Sequence, residues 1–540
     1  MVSIRTTLLS LLAAAFACTA SAREIRLAPD GTNDMTAAVL SAVDGVRGVK
    51  FMRPHRFVFA PGDYHFKAPT VLPVYVSNHD TPRPRRIFLP VTNVTDVVLE
   101  APKGARFVCH GEGVAFALMD TTNVTVKGIA FDYARPFFSI WKLKDGRLAE
   151  HDPEFTFANR DGVLFATGEG WEDRQKICEF FDKDTKAFRG SVWWDGKADK
   201  VFGGHPDGTI AMTRSPCRPN PCVLLYRATR SKFIDSGALA AAGMGFLAQR
   251  STDIGLERWR NRDRRELSLQ ADATHFSNCR GTVAVVDSVF EGMVDDAINV
   301  HSTSLKIVEK SDTDPKRIKC RYMHGQSIGF ETFLPGETLR FIKGATFEPG
   351  TEVKVTGAQY LDARHVVLTL AKPVPAGYGV GDAVENADWQ PRVVFRGNTV
   401  RNSSPRATLF TTPGKVVCEN NLFENVAGQP LYFAGDAWDW YESGASRDVV
   451  IRGNTFRHCG FKSGRGMIMI EPAVHDLAAQ KVRYHQNILV EDNTFEDFTL
   501  PLVWARSASN VVLRNNKIVN GNSRIVIDRD SAEVKAEESK

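Results

Sequence analysis

Val393-Val-Phe-Arg-Gly-Asn398-Thr-Val400 returns as Val416-Val-Cys-Glu-Asn-Asn421-Leu-Phe423 and again as Val450-Ile-Arg-Gly-Asn454-Thr-Phe456. It recurs twice more, as Leu489-Val-Glu-Asp-Asn493-Thr-Phe495 and Val512-Leu-Arg-Asn-Asn516-Lys-Ile518. The asparagines stand 23, 33, 39 and 23 residues apart, a base period of 23 with loops inserted in two turns. Short β-branched units at that period predict an all-β solenoid, a parallel β-helix. Inward Val, Ile and Phe stack into one core, and asparagines at the turns form hydrogen-bonded ladders between coils.

The same pattern appears earlier, at Asn93-Val-Thr-Asp-Val-Val-Leu99, Asn123-Val-Thr-Val-Lys-Gly-Ile129 and Val283-Ala-Val-Val-Asp-Ser-Val-Phe290. Asn93 and Asn123 also fit N-x-T glycosylation, but the solenoid-turn reading takes precedence. Two stretches break the rhythm with alternating strands and turn signals, such as Glu352-Val-Lys-Val-Thr356 and His365-Val-Val-Leu-Thr-Leu370. They are read as two inserted small antiparallel β-barrel domains. The predicted order is a leader at 1–22, a cap and first coils at 23–136, and a barrel at 137–221. Coils bearing the acids follow at 222–304, a second barrel at 305–387, more coils at 388–527, and a disordered tail at 528–540. The cap is a helix over Thr36–Val46, with Thr32 or Asn33 as its N-cap.

The 540 residues are 43% hydrophobic and carry a net charge of +5 from dispersed basic residues, so the composition offers no nucleic-acid patch. Residues 1–22 read as a signal peptide, with Arg5, the apolar run Leu8–Ala17 and Ala20-Ser21-Ala22 before Arg23. This predicts export to the periplasm or beyond, with a lipoprotein at Cys18 as the weaker rival and no membrane span. Eight cysteines remain after cleavage, scattered through apolar contexts. Cys217 and Cys222 are spaced to close a small loop disulfide, although nothing demands one. No zinc spacing occurs, and no metal or other cofactor is expected.

The chemistry sits at Val294-Asp295-Asp296-Ala-Ile-Asn-Val-His301, with Asp272 a further 23 residues upstream of Asp295. A gap of one coil brings the chain back over itself at about 4.8 Å, the strand spacing. Three carboxylates then gather on one face, where one protonates a leaving oxygen and another activates water, as glycosidic hydrolysis requires. Neighbouring strand residues point to opposite faces, so Asp295 and Asp296 both reach solvent only at a strand-to-turn bend. Crowding raises the proton affinity of at least one carboxyl group, and the three titrate together.

Gln270-Ala-Asp272-Ala-Thr-His275-Phe-Ser-Asn-Cys-Arg280-Gly and Asp295-Asp296-Ala-Ile-Asn-Val-His301 resemble glycoside hydrolase family 110. Supporting pieces are Tyr75-Val-Ser-Asn78-His79-Asp80, Ala242-Gly-Met-Gly-Phe-Leu-Ala-Gln-Arg250 and Trp440-Tyr-Glu442-Ser-Gly444. The likeness spans roughly residues 25 to 525. It departs at Ser302-Thr303-Ser304, where a Gly and an aromatic are expected, so the local loop shape differs. The resemblance implies a right-handed parallel β-helix with inserted barrels. It also implies exo-acting removal of terminal α-1,3-galactose, as on blood group B-type or linear glycans, with inversion. By analogy with the three-aspartate β-helix polygalacturonases of family 28, Asp295 is then the general acid, while Asp272 and Asp296 hold and deprotonate water. Inversion asks for about 6.5–9.5 Å between acid and base.

Glu331 is a candidate for folding back over the cleft as a substrate-binding residue. Trp440 in the long insertion of one coil is a candidate sugar-stacking ring, with Trp438 beside it. Arg250, His301 and Glu442 are candidates for gripping galactose hydroxyls. The partner is thus a glycan bearing terminal galactose, and the inserted barrels offer homodimer contacts. Two alternatives are a β-helix polysaccharide lyase or polygalacturonase-like hydrolase and a non-catalytic glycan-binding solenoid. The acidic cluster lacks the Arg-Lys stripe of a lyase, and fold alone does not exclude the binding module.

Overall fold

The computed structural model describes residues 24–31, 34–48, 54–80, 84–262, 265 and 267–537. The leader at 1–22, Cys18 and the Thr32 or Asn33 cap lie outside the described residues. Among those described, no helix is long and apolar enough to cross a membrane.

The repeat units pair in register as parallel strands. Val393 lies beside Val416, Val416 beside Val449, Val449 beside Ile488 and Ile488 beside Val511. Successive coils thereby build a parallel β-helix of three sheets. One runs from Glu24–Leu27 to Ala532–Ala536, a second from Thr70–Leu72 to Ile525–Ile527, and a shorter third from Val289–Glu291 to Lys517–Val519. Inward side chains alternate with outward ones, and the inward set forms one continuous apolar core from the cap to the last coil. Within it Phe423, Phe456 and Phe495 stack almost parallel, with centroids 4.8 and 4.6 Å apart.

The repeated asparagines are buried and form the expected ladder. The Nδ2 of Asn398 donates to Asn421 Oδ1 at 3.1 Å, Asn421 to Asn454 at 2.9 Å, Asn454 to Asn493 at 2.9 Å, and Asn493 to Asn516 at 3.0 Å. Each Oδ1 also accepts the backbone N–H of the preceding asparagine, as Asn454 does from Asn421 at 2.9 Å. Every polar atom of the buried amide is therefore satisfied, which is the condition for keeping it inside. Asn93 and Asn123 both adopt left-handed φ values, 55° each, as turn residues of the earlier coils.

Residues after His301 leave the solenoid for a closed six-stranded antiparallel barrel, Leu305–Lys310 through Ala383–Asn386. It has its own core of Leu305, Ile307, Ile318, Cys320, Phe341, Val355 and Leu368. The earlier insert differs from the closed barrel expected there. Its hydrogen bonds form a five-stranded and a three-stranded antiparallel sheet that share Trp141, Leu164, Phe180 and Trp194 as a core. The sheets meet through a single bridge, Val163 to Lys197, and so do not form one continuous ladder.

Two further expectations are corrected. The cap helix spans Thr36–Asp44 with Met35 at its N-cap position, and the carboxylate of Asp34, one residue earlier, accepts the Thr36 N–H at 3.0 Å. The tail is not wholly irregular, because Ala532–Ala536 pairs with Ala508–Arg514, setting Val534 beside Val511. An open sheet edge has unpaired backbone groups, and even a charged strand satisfies them. Cys217 and Cys222 are both free, the former exposed and the latter buried.

The ladder generates a stability prediction. Asn454→Ala removes an acceptor for Asn421 and a donor to Cys418 and Asn493, leaving buried groups unpaired. The expected loss is about 3 kcal/mol, from about 1–3 kcal/mol per orphaned group. Urea unfolding followed by circular dichroism reads it as a lowered midpoint, and an unchanged midpoint contradicts the ladder's energetic role.

Candidate active site

The strand beginning at Thr274 pairs with the one at Ile298, which pairs with the one at Thr408. The residue two positions before each strand therefore occupies the same step of the corner on three successive coils. Those residues are Asp272, Asp296 and Arg406. Backbone hydrogen bonds continue through the corner, from Ala273 N to Asp296 O at 2.7 Å and from Ala297 N to Ala407 O at 2.9 Å. The coil-to-coil partner of Asp272 is thus Asp296, while Asp295 lies one residue outside that column.

Asp295 and Asp296 consequently diverge instead of both facing solvent. Asp296 is fully buried, clamped by the Arg406 guanidinium through Nε at 2.7 Å and a terminal nitrogen at 3.0 Å. Asp295 opens into a pocket of about 350 Å³, its side chain 14% exposed, and accepts from Arg218 at 2.7 Å. Its bend is held by Ser403 Oγ and Ser404 Oγ, which donate to the Asp295 and Val294 carbonyls. Asp272 also lines the pocket, although only 3% of its side chain is exposed. Its Oδ1 accepts the Asp296 N–H at 3.3 Å and its Oδ2 lies 2.6 Å from His275 Nδ1. One carboxylate oxygen from each acid lies within 4.8 Å of the other two. That is closer than the expected 6.5–9.5 Å. The column stacks Asp272 and Asp296 at strand spacing, and Asp295, next to Asp296 in the chain, is carried close to both. Such oxygen spacing suits a cation, but two guanidinium groups already face these carboxylates.

Charge divides the three acids. Burial and the neighbouring Asp295 and Asp296 charges drive the Asp272 carboxyl well above its ordinary range. Burial pushes Asp296 up to about 7 against the pull of Arg406. Burial also opposes ionisation of Asp295, but Arg218 and Arg406 outweigh it and hold Asp295 below the usual range. The free site therefore has an ionised acid at the pocket surface and a protonated one behind it.

The pocket wall is assembled from several parts of the chain. Arg218 returns from the first insert, and its backbone is pinned by Asp80, which also accepts from Gln326 of the barrel at 2.7 Å. Trp440 lines the pocket and stacks on His324 of the barrel, centroids 3.7 Å apart. Glu442 lines it too, accepting from Asn78 at 3.1 Å. Gly243 lets the His79 ring pack against the bend before the strand Phe246–Gln249, since a Cβ there would stand 2.6 Å from His79 Nε2. Three buried acceptors of pocket-lining residues, Asn78 Oδ1, Asn299 Oδ1 and Glu471 Oε2, have no hydrogen-bond partner among the described residues.

Other candidates stand elsewhere. Arg250 is buried against Glu337 at 2.7 Å and over the Trp389 ring, at the barrel's root, so its guanidinium is unavailable to a sugar in this pocket. His301 is fully buried behind His275 and does not line the pocket. Glu331 lies in a separate groove, approached by Tyr226 and Arg227. Gly329 at φ 95° presses against the Tyr75 ring and sends the following residues to that side. Trp438 is 67% exposed, packed on His475.

Sequence reasoning passed over Arg406, Arg218 and His275. For Arg406 the signal was present: Val283–Phe290 and Val393–Val400 are equivalent units 110 residues apart, and that offset carries Asp296 onto Arg406. Arg218 follows a long insertion, and no periodicity points to it.

Comparison with known proteins extends this picture. Residues 317–384 match the GLAA-B beta-barrel domain II and residues 379–540 the right handed beta helix region. The chain is 36% identical to alpha-1,3-galactosidase B of Akkermansia muciniphila over 92% of its own length and 66% of that protein's. It is 34% identical to alpha-1,3-galactosidase B of Phocaeicola vulgatus, covering 86% of this chain and 85% of the relative. Another alpha-1,3-galactosidase B of Phocaeicola vulgatus is 31% identical, over 92% of this chain and 89% of its own. With right-handed coils, the barrel and two relatives matched over 85% and 89% of their length, the chain belongs to the glycoside hydrolase family of the alpha-1,3-galactosidases A and B, the one its acid motifs resemble.

Proposed function

We propose that this protein is an exported, exo-acting glycoside hydrolase that removes terminal α-1,3-linked galactose with inversion. The observation that carries the reading is the acid column beside a pocket of about 350 Å³, near the lower end of the usual ligand range of about 300–1,000 Å³. A small pocket suits one terminal sugar better than the middle of a chain. The relatives' names supply the sugar and linkage, and the leader reading of residues 1–22 supplies the export.

Inversion is favoured by access. A retaining enzyme needs a carboxylate that bonds to the anomeric carbon. Asp272 and Asp296 are buried, with their oxygens committed to His275, the Asp296 N–H and Arg406. We assign the proton taken from water to Asp272, which lines the pocket, with Asp296 behind it. Asp295, the acid most open to the pocket, meets the glycosidic oxygen. The charge state of the free site, Asp272 protonated and Asp295 ionised, is the one a turnover leaves behind. Returning one proton to Asp295 and removing the one on Asp272 restores the working state.

Two predictions follow from this division of labour. Asp295→Asn should lower kcat by at least about a hundredfold, the lower range of acid–base contributions, while galactose binding persists. With wild-type enzyme, NMR of a branched B-type trisaccharide and of linear α-1,3-galactobiose should show β-galactose appearing first. Initial α-galactose refutes inversion, and no release from either substrate refutes the hydrolase reading.

The second concerns stability. A carboxyl whose folded pKa is raised binds protons that the unfolded chain has lost, so its charge destabilises the fold as pH rises above the ordinary 3.8. Asp272→Asn removes that titration. Its melting temperature relative to wild type should therefore climb between about pH 4 and 7, the upper bound being where Asp296 titrates, even as activity is lost. A difference that stays constant or falls over this window contradicts the assignment.

A further inference from the structure

Behind Asp272 runs a chain of buried hydrogen bonds that the hydrolytic reading does not use. Asp272 Oδ2 is 2.6 Å from His275 Nδ1, and His275 Nε2 is 2.8 Å from His301 Nε2. His301 Nδ1 lies 2.9 Å from the Ser302 carbonyl. Both rings are almost wholly buried. The far end of the chain fixes its protons. A backbone carbonyl only accepts, so His301 carries a proton on Nδ1. In neutral His301 the other nitrogen, Nε2, is an acceptor, and His275 must donate to it from its own Nε2. His275 Nδ1 is then an acceptor, and the short bond to Asp272 requires a carboxyl proton.

The chain has a second satisfied arrangement. The Asp272 proton passes to His275 Nδ1 while the His275 Nε2 proton passes to His301 Nε2. Asp272 becomes a carboxylate, His275 stays neutral and His301 becomes an imidazolium, still bonded to Ser302. No heavy atom moves, one proton disappears from Asp272 and one appears on His301, and every hydrogen bond survives. The positive charge arises 3.4 Å from Glu442 Oε1, a carboxylate in the pocket wall. The groups facing the chain are Asp295, Asp296 and Arg406 at its acid end, Arg218 at its acid end and middle, His79 near its middle, and Glu442 at His301. Burial beside those cationic and imidazole neighbours holds His275 well below the ordinary histidine range, which suits a ring that passes a proton without keeping it.

We propose that His275 and His301 form a proton relay that moves the Asp272 proton to His301, opposite Glu442, so that Asp272 serves as an ionised base. This rests on the hydrolase reading and deepens it. His275 and His301 act through Asp272 and are positioning residues, while Glu442 stabilises the displaced proton from the substrate side.

His301→Gln tests the relay, because glutamine keeps a hydrogen-bonding amide but takes no proton. With linear α-1,3-galactobiose or the branched trisaccharide, whichever the wild type cleaves, kcat should fall about tenfold or more and KM stay within about twofold. The acid limb of the kcat profile should move to higher pH, since Asp272 must then lose its proton to solvent. Unchanged kcat and profile, or a parallel collapse of kcat and KM without a moved limb, overturns the relay. Wild-type enzyme that releases no galactose overturns the hydrolase reading instead. Should the variant fail to fold, ¹⁵N shifts of the wild-type imidazoles decide. Protonated Nδ1 on His301 is expected at neutral pH, with His275 protonated on Nε2, or on Nδ1 where His301 is an imidazolium, and a neutral His301 protonated on Nε2 alone overturns the proposal.

Discussion

Parallel strand register is the interaction on which the site depends. A coil of this solenoid has no freedom to slide, because a one-residue slip would turn Phe276, Val300 and Phe410 out of the core and bring their polar neighbours in. The same register stacks Asp272, Asp296 and Arg406 in one column at the corner before the strand. Two like charges one strand spacing apart would repel strongly at low dielectric. The column is tenable because the next coil ends it with a guanidinium and because Asp272 keeps its proton.

Burial and compensation thereby set the chemistry. Arg406 forms a two-pronged clamp on Asp296, and Arg218 holds Asp295 from the opposite side. Neither cation lies on the coils that carry the acids, since one comes after the barrel and the other from the loop that closes the first insert. The acids are thus neutralised from both sides of the sequence, by Arg218 before them and Arg406 after them. An ionisable trio assembled this way remains reactive while buried, since no single partner neutralises all three.

How much of this was legible follows from where periodicity holds. Asn398, Asn421, Asn454, Asn493 and Asn516 announce the ladder because each coil needs the same amide at the same buried turn. Asp272 and Asp295 were visible as a coil apart, yet the count missed by one, because that coil is one residue longer than the base period and the true partner is Asp296. A single residue suffices to exchange the exposed acid for the buried one. Arg250 and Glu331 show the opposite limit. Their motifs are distinctive, but Glu337 and Trp389 claim the first and the Gly329 turn diverts the second, and both causes reside in tertiary contacts with the barrel. Periodicity is silent on Arg218, whose place depends on Asp80.

The inserts explain how an open groove becomes a pocket. A bare β-helix presents a long shallow face, suited to a polymer lying across several coils. Here Asp80 is bonded both to the Arg218 backbone and to Gln326, so the loop from the first insert and the barrel loop are tied to one another above the acids. On the other side Trp440, from a coil insertion, stacks on His324 of the barrel. The walls therefore meet through contacts between inserted elements, while the floor remains an undistorted part of the solenoid. That separation lets the floor keep the register the acids require. The walls can vary in length and sequence and reshape what enters without moving the column below.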